Sequence, residues 1–208
     1  MILYCAADNN YFNYYFDLWN KQTKKIYPDL KRHIVLHNPT KEQIQKCIDN
    51  DIDYNDVTLN FPKNPIRKHF YLLRWLFLPI KYKENILETQ INCLPLKRFD
   101  YPKVLKVEQW RIQRPKRGVL GGVSAAIFTP QSARQVINQA KHMLPNPPEN
   151  DHEMNMWQIN NLSQHQEKLE HQIRGEESLP EHAYWITART AQVWTHEQKI
   201  KALERFCK

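Results

Sequence analysis

Ile86-Leu87-Glu88-Thr89-Gln90-Ile91-Asn92-Cys93-Leu94 lies near the middle of the 208-residue chain, follows its most hydrophobic segment and stops at Pro95. A short apolar run closed by proline reads as a buried strand with an exposed C-terminal end. In open α/β sheets ligands bind at that end of a central strand. The groups offered here are two neutral amides, Gln90 and Asn92. Being two apart, they share one face of the expected strand.

The length suits one domain with a real core. Hydrophobic residues make up 41% and charged residues 25%, which excludes wholesale disorder. The net charge of +8 favours an anionic partner: nucleic acid, a phosphorylated small molecule or a membrane surface. Cys5, Cys47, Cys93 and Cys207 form no CxxC pair, and Cys5 and Cys93 fall in expected strands, so a reducing compartment without disulfides is expected. Met1-Ile2-Leu3-Tyr4 carries no basic leader, and the apolar run Phe70–Ile80 is broken by Arg74 and too short to span a bilayer. A soluble, cytoplasmic protein is the expectation.

Outward from the central stretch, residues 1–7 (MILYCAA) read as a first strand. Asp8-Asn9-Asn10 is a turn or helix-start cluster. Tyr11, Phe12, Tyr15, Phe16 and Trp19 then recur at helical spacing up to Pro28. Strand, polar turn and helix open a nucleotide-binding unit, but GxGxxG is absent, which disfavours a dinucleotide site. Residues 32–37 read as a strand, Thr40 as the cap of a short helix, and Asp49–Asp56 as a solvated acidic loop. That loop lacks the glycine and closing glutamate of a calcium site. Residues 57–61 read as a third strand. Pro62–Ile80 reads as the main helix, apolar almost all round, with Arg74 either snorkelling to solvent or reaching an anion.

Beyond Pro95, residues 103–110 alternate as a strand, and Arg111, Arg114, Lys116 and Arg117 read as a basic, proline-broken loop, either solvated or neutralising phosphate. Three of the four glycines, Gly118, Gly121 and Gly122, fall within five residues, marking a bulge or a close approach of backbone to ligand. Thr129-Pro130 starts an amphipathic helix to Met143. Asp151-His152-Glu153 opens another. Residues 163–180 read as an exposed helix or mobile segment, 185–187 and 191–194 as short strands, and Thr195-His196 as the start of a closing basic helix.

YCAADNNYFNYY, RWLFLPI…ILETQINCLPLK and GGVSAAIF…DHEMNMW, in this order and spacing, resemble glycosyltransferases of the GT-A fold. The likeness is greatest to glycogenin-like family 8 enzymes and their small bacterial and phage relatives. The resemblance implies a single α/β domain with a mostly parallel mixed sheet flanked by helices, residues 1–97 forming the nucleotide-binding half and 98–208 the acceptor side with a C-terminal helix. It assigns Ala6, Ala7, Asp8, Asn9 and Tyr11 to the nucleotide, and Arg74 to the donor. Gly121 and Gly122 would line the donor-sugar and acceptor cleft, and Asp151 would face sugar and acceptor. His196 and Lys199 match a C-terminal histidine and lysine that serve the cation and diphosphate. The donor would be a nucleotide-sugar such as a UDP-sugar.

The family's strand ends in Asp-x-Asp, which holds a divalent cation, usually manganese; this chain reads Gln90-Ile91-Asn92. Two amides remove two negative charges, so Mn2+ or Mg2+ is expected to bind weakly and no metal to be required. Arginine and lysine can neutralise a diphosphate instead. Three functions compete: a metal-independent glycosyltransferase acting on a saccharide, or on hydroxymethylated bases of phage DNA; a catalytically inactive binding protein of this fold; and a nucleic-acid-binding protein that stacks bases on aromatics.

Overall fold

Leu3, Cys5 and Ala7 point to one face of the first strand and Tyr4 to the other, and all four are buried, so this strand must lie inside a sheet covered on both sides. The computed structural model describes residues 1–57, 68–102, 104–112, 125–147, 151–168, 170–173, 183–188 and 195–207. The strand is β1 (Ile2–Asp8), followed by α1 (Asn9–Ile26), β2 (Lys31–His37), α2 (Lys41–Asp49) and β3 (Asp53–Val57). Then come α3 (Lys68–Leu76), a 3-10 turn at Ile80–Tyr82, β4 (Ile86–Gln90) and β5 (Cys93–Pro95). The second half holds β6 (Gln109–Ile112), β7 (Ala125–Phe128), α4 (Pro130–Met143), α5 (Asp151–Asn161), β8 (Gln164–Glu167), β9 (Glu170–Ile173), β10 (Trp185–Ala188) and α6 (His196–Glu204).

The main sheet runs β3-β2-β1-β4-β7-β6-β8, and β5-β10-β9 form a second, smaller sheet. β3, β2, β1 and β4 are parallel, β7 is antiparallel to both neighbours, and β8 runs parallel to β6. The chain moves outward from β1 to β3 and then returns to the other side of β1 as β4. The crevice between the C-terminal ends of β1 and β4 is therefore the topological switch point, where ligands bind in such sheets. Phe12, Tyr15, Phe16 and Trp19 of α1 cover one face; Leu72, Leu73 and Trp75 of α3 with Ala133 and Val136 of α4 cover the other. The expected α/β architecture holds.

Local chemistry sets the helix starts. Asp8 accepts a hydrogen bond from the Tyr11 amide at 2.8 Å and caps α1. Thr40 with Gln43, and Thr195 with Gln198, form reciprocal capping boxes at α2 and α6. Thr129 caps α4 with Pro130 in its first turn. The cysteines are free and buried, and burial pushes the Cys47 and Cys207 thiols up to about 12, too high for a reactive thiolate.

Several expectations are corrected. The central stretch is not one strand: β4 stops at Gln90, Ile91 and Asn92 turn, and β5 enters the second sheet against β10. Its far end is buried rather than exposed, through Cys93 and Leu94. The acidic segment contains β3, which pairs with β2 from His33–Asp53 to His37–Val57. An edge strand tolerates such polarity, and charge there discourages pairing with other chains. Residues 164–167 and 170–173 are strands β8 and β9, not helix. The strand placed at 103–110 is β6 at Gln109–Ile112, so Arg111 lies in the sheet and not in a basic loop. α3 ends at Leu76, ahead of Pro79, whose ring disfavours helical backbone at Leu78. Residues 58–67, 113–124 and 191–194 lie outside the described residues, and with them parts of the expected third strand, main helix, basic loop and last strand.

Candidate functional site

At the switch point Ala6 of β1 is the register partner of Gln90 of β4. Parallel pairing thus sets the end of β1, with Ala7 and Asp8, and the start of α1, with Asn9 and Tyr11, beside the last residue of the central strand. Gln90 and Asn92 are both half-buried. Asn9 begins α1, and Asp8 spends one carboxylate oxygen on the cap.

The C-terminal helix returns to the same place. His196, the first residue of α6, stacks on Tyr14 with centroids 4.3 Å apart and planes 12° from parallel. It meets Tyr11 edge-on at 5.4 Å, and its Nδ1 lies 3.0 Å from the Tyr15 hydroxyl. Burial, helped by the charge of Lys199, holds His196 below the usual imidazole range, while Glu197 and Asp8 pull the other way. Lys199 sits one helical turn further on, half-buried.

Arg74 does not snorkel. Its Nη2 donates to Glu88 Oε2 at 2.9 Å beneath the sheet, with Glu88 fully buried and the Arg74 guanidinium over the Trp75 ring at 4.1 Å. Glu88 precedes Gln90 by two residues on the same strand face. Arg111 is also completely buried, reaching Gln109 Oε1 at 3.4 Å and Asn155 Oδ1 of α5 at 3.5 Å. Burial first, then the charge of Arg74, pushes Arg111 down to about 10, so it stays charged at neutral pH. Asp151 is the first residue of α5, one turn before Asn155. The Asp151 side chain, and Gly121 and Gly122 entirely, lie outside the described residues.

Three contributors were not singled out as site residues from sequence: Glu88, Tyr14 and Tyr15. Glu88 shared the strand alternation of Gln90. Arg111 was expected in a phosphate-neutralising basic loop, and its place in β6 corrects the location. A cavity of about 590 Å³ opens at the opposite end of the sheet, among Met1, Tyr27, Glu84, Arg98, Phe99 and Tyr101, and shares no residue with this site.

The described residues fit a divalent cation poorly. Gln90 and Asn92 offer neutral amide oxygens where hard cations need carboxylates. Among the described residues no three of His, Cys, Asp and Glu gather as ligands. Among them, too, no helix is long and apolar enough to cross a membrane.

In sequence, no family model and no curated protein matches the chain. In structure, it is similar to the galactosyltransferase LgtC solved with donor and acceptor sugar analogs (TM-score 0.64, 11% identity, 99% of this chain and 94% of that one). An active-site mutant of LgtC matches likewise (TM-score 0.62, 10% identity, 99% and 96%). The glycosyltransferase GlyE of Streptococcus pneumoniae TIGR4 matches over 79% of this chain and 45% of its own, with TM-score 0.56 and 11% identity. At such identity the likeness speaks to the fold, and the fold is that of the GT-A glycosyltransferases.

Proposed function

We propose that the protein transfers a sugar from a nucleotide-sugar donor to an acceptor, with little or no dependence on a metal ion. The observation that carries this reading is the register pairing of Ala6 with Gln90, which joins two stretches recognised separately in the sequence at the switch point of a GT-A sheet. LgtC, similar over nearly its whole length, was solved with donor and acceptor analogs.

In this reading Ala6, Ala7, Asp8, Asn9 and Tyr11 hold the nucleoside, as of a UDP-sugar. Gln90 and Asn92 donate amide hydrogens to the diphosphate, a role carboxylates could fill only through a cation. Lys199 supplies positive charge, and Arg74, whose own charge is met by Glu88, acts on the donor only through that pair. Gly121, Gly122 and Asp151 serve the sugar and the acceptor. As the bond from the anomeric carbon to the diphosphate oxygen breaks, its electron pair stays with the diphosphate, the acceptor oxygen bonds to the anomeric carbon, and the acceptor's hydroxyl proton is released. Fixed cations and N–H donors aimed at that oxygen lower the barrier, and the rest of the rate comes from alignment of acceptor and donor.

Titration of UDP and UDP-sugars in EDTA and in Mn2+, followed by assay of UDP release, tests the proposal. Donor binding and release that survive EDTA are the expected result. Absence of binding to any nucleotide-sugar at millimolar concentration overturns it. Binding without turnover on saccharide acceptors or hydroxymethylated DNA would indicate a binding protein built on this fold.

A further inference from the structure

We propose that Arg111 is a positioning residue for the donor, supplying a fixed, solvent-shielded positive charge behind the strand ends where the diphosphate would lie. The inference rests on the transferase reading above.

Tyr4, Glu88, Ala126 and Arg111 occupy one row across β1, β4, β7 and β6, each the register partner of the next. Glu88 pairs with Arg74. On the far side of Ala126, whose methyl group neutralises nothing, stands Arg111. Among the described residues its hydrogen bonds go only to the amides of Gln109 and Asn155, at 3.4 and 3.5 Å, and its Nε has no partner there. Among the described residues no carboxylate pairs with it. Gln109 is in turn held by Gln158 at 2.8 Å, so the nearer amide beside the guanidinium is fixed.

A buried cation without a counter-charge is costly unless an anion offsets it. The row lies two residues below Gln90, about 7 Å from the strand end at ordinary strand rise. An anion at the switch point would lie within reach of this charge through low-dielectric protein, where screening by salt is weak. The charge is also pre-set: the guanidinium is already desolvated and need not reorganise when the anion arrives. Two amides at 90 and 92 remove negative charge from the site, and Arg111 adds positive charge behind it; both act in the same direction.

The test compares UDP with uridine, in EDTA at low and high salt, by calorimetric titration. The proteins are the wild type, Arg111→Met, Arg111→Gln, Arg111→Lys and Glu88→Gln. Arg111→Met should weaken UDP about tenfold while leaving uridine unchanged, equally at both salt concentrations. Arg111→Lys should restore most of the loss. Glu88→Gln, which removes negative charge from the same row, should tighten UDP severalfold; Arg111→Gln, which keeps a polar side chain beside Gln109 and Asn155 but no charge, should weaken UDP as Arg111→Met does and decides the matter if Arg111→Met does not fold. Equal losses for UDP and uridine would mark Arg111 as structural and overturn the inference, as would unchanged UDP affinity in Arg111→Met or no tightening in Glu88→Gln. A wild type that binds neither ligand overturns the transferase reading, and this inference with it.

Discussion

The Tyr15 hydroxyl and Nδ1 of His196 lie 3.0 Å apart although 181 residues separate them in the chain. That contact, with the stack of His196 on Tyr14, docks the start of α6 on the first helix beside the switch point. Replacing His196 by Ala removes one hydrogen bond, the stack on Tyr14 and the edge-on contacts with Tyr11 and Tyr15, expected to cost about 1–2 kcal/mol. Tyr15→Phe should cost about 1 kcal/mol or less. Urea midpoints check the totals. Hydrogen exchange should quicken in α6 while the β1 amides keep their protection.

His33 gives the protein a defined acid sensitivity. It is fully buried in β2, near Tyr82 at 3.2 Å. Desolvation first, then Lys81 and Lys31, against Asp53, push it down to about 4. The unfolded chain takes up this proton near pH 6.5 and the folded chain only near 4. The stabilisation is therefore complete above about pH 6.5 and is lost as pH falls toward 4, with an upper bound of about 3 kcal/mol. Urea melts between pH 7.5 and 4.5 should show the loss. A His33→Asn variant should be less stable at pH 7 and should show a flatter profile over the same range.

What could be read in advance, and what could not, has a physical cause. β1 and α1 were legible because Leu3, Cys5 and Ala7 alternate with Tyr4, and because Asp8 stands where a cap is needed. The edge strands β3 and β8 were not, because their residues, such as Asp53 and Gln164 to Glu167, are polar and their partners lie elsewhere in the chain. The settings of Glu88 and Arg111 were illegible. Glu88 stood in a stretch read as a buried strand with no partner in sight and Arg111 in one read as a loop, and only the fold brings Arg74 to the one and seats the other inside the sheet. His196 was found through family resemblance; its aromatic setting on α1 could not be read from local sequence.

The Arg74–Glu88 pair should behave as a buried ion pair. Removing one partner, as in Arg74→Leu or Glu88→Leu, leaves a desolvated charge and is expected to cost about 3–5 kcal/mol. The double variant should be less destabilised than the sum of the two, because no orphan charge remains. A double-mutant cycle in urea measures the coupling. Additive losses would show that the two side chains act independently despite their 2.9 Å contact.

Restoring carboxylates should create the metal dependence that the amides withhold. Gln90→Asp with Asn92→Asp places two anionic oxygen donors at the end of β4 and in the turn that follows it. Calorimetry with MnCl2 alone should detect binding in the double variant at least about tenfold tighter than in the wild type, because hard cations are selected by carboxylate charge and number. The added negative charge should at the same time weaken UDP in EDTA, and Mn2+ should restore it, which the wild type should not require. The two effects have opposite sign, so a general disturbance of the strand end cannot imitate them. Tight Mn2+ binding by the wild type would show that ligands other than residues 90 and 92 govern the ion, and would remove the basis for a metal-independent site.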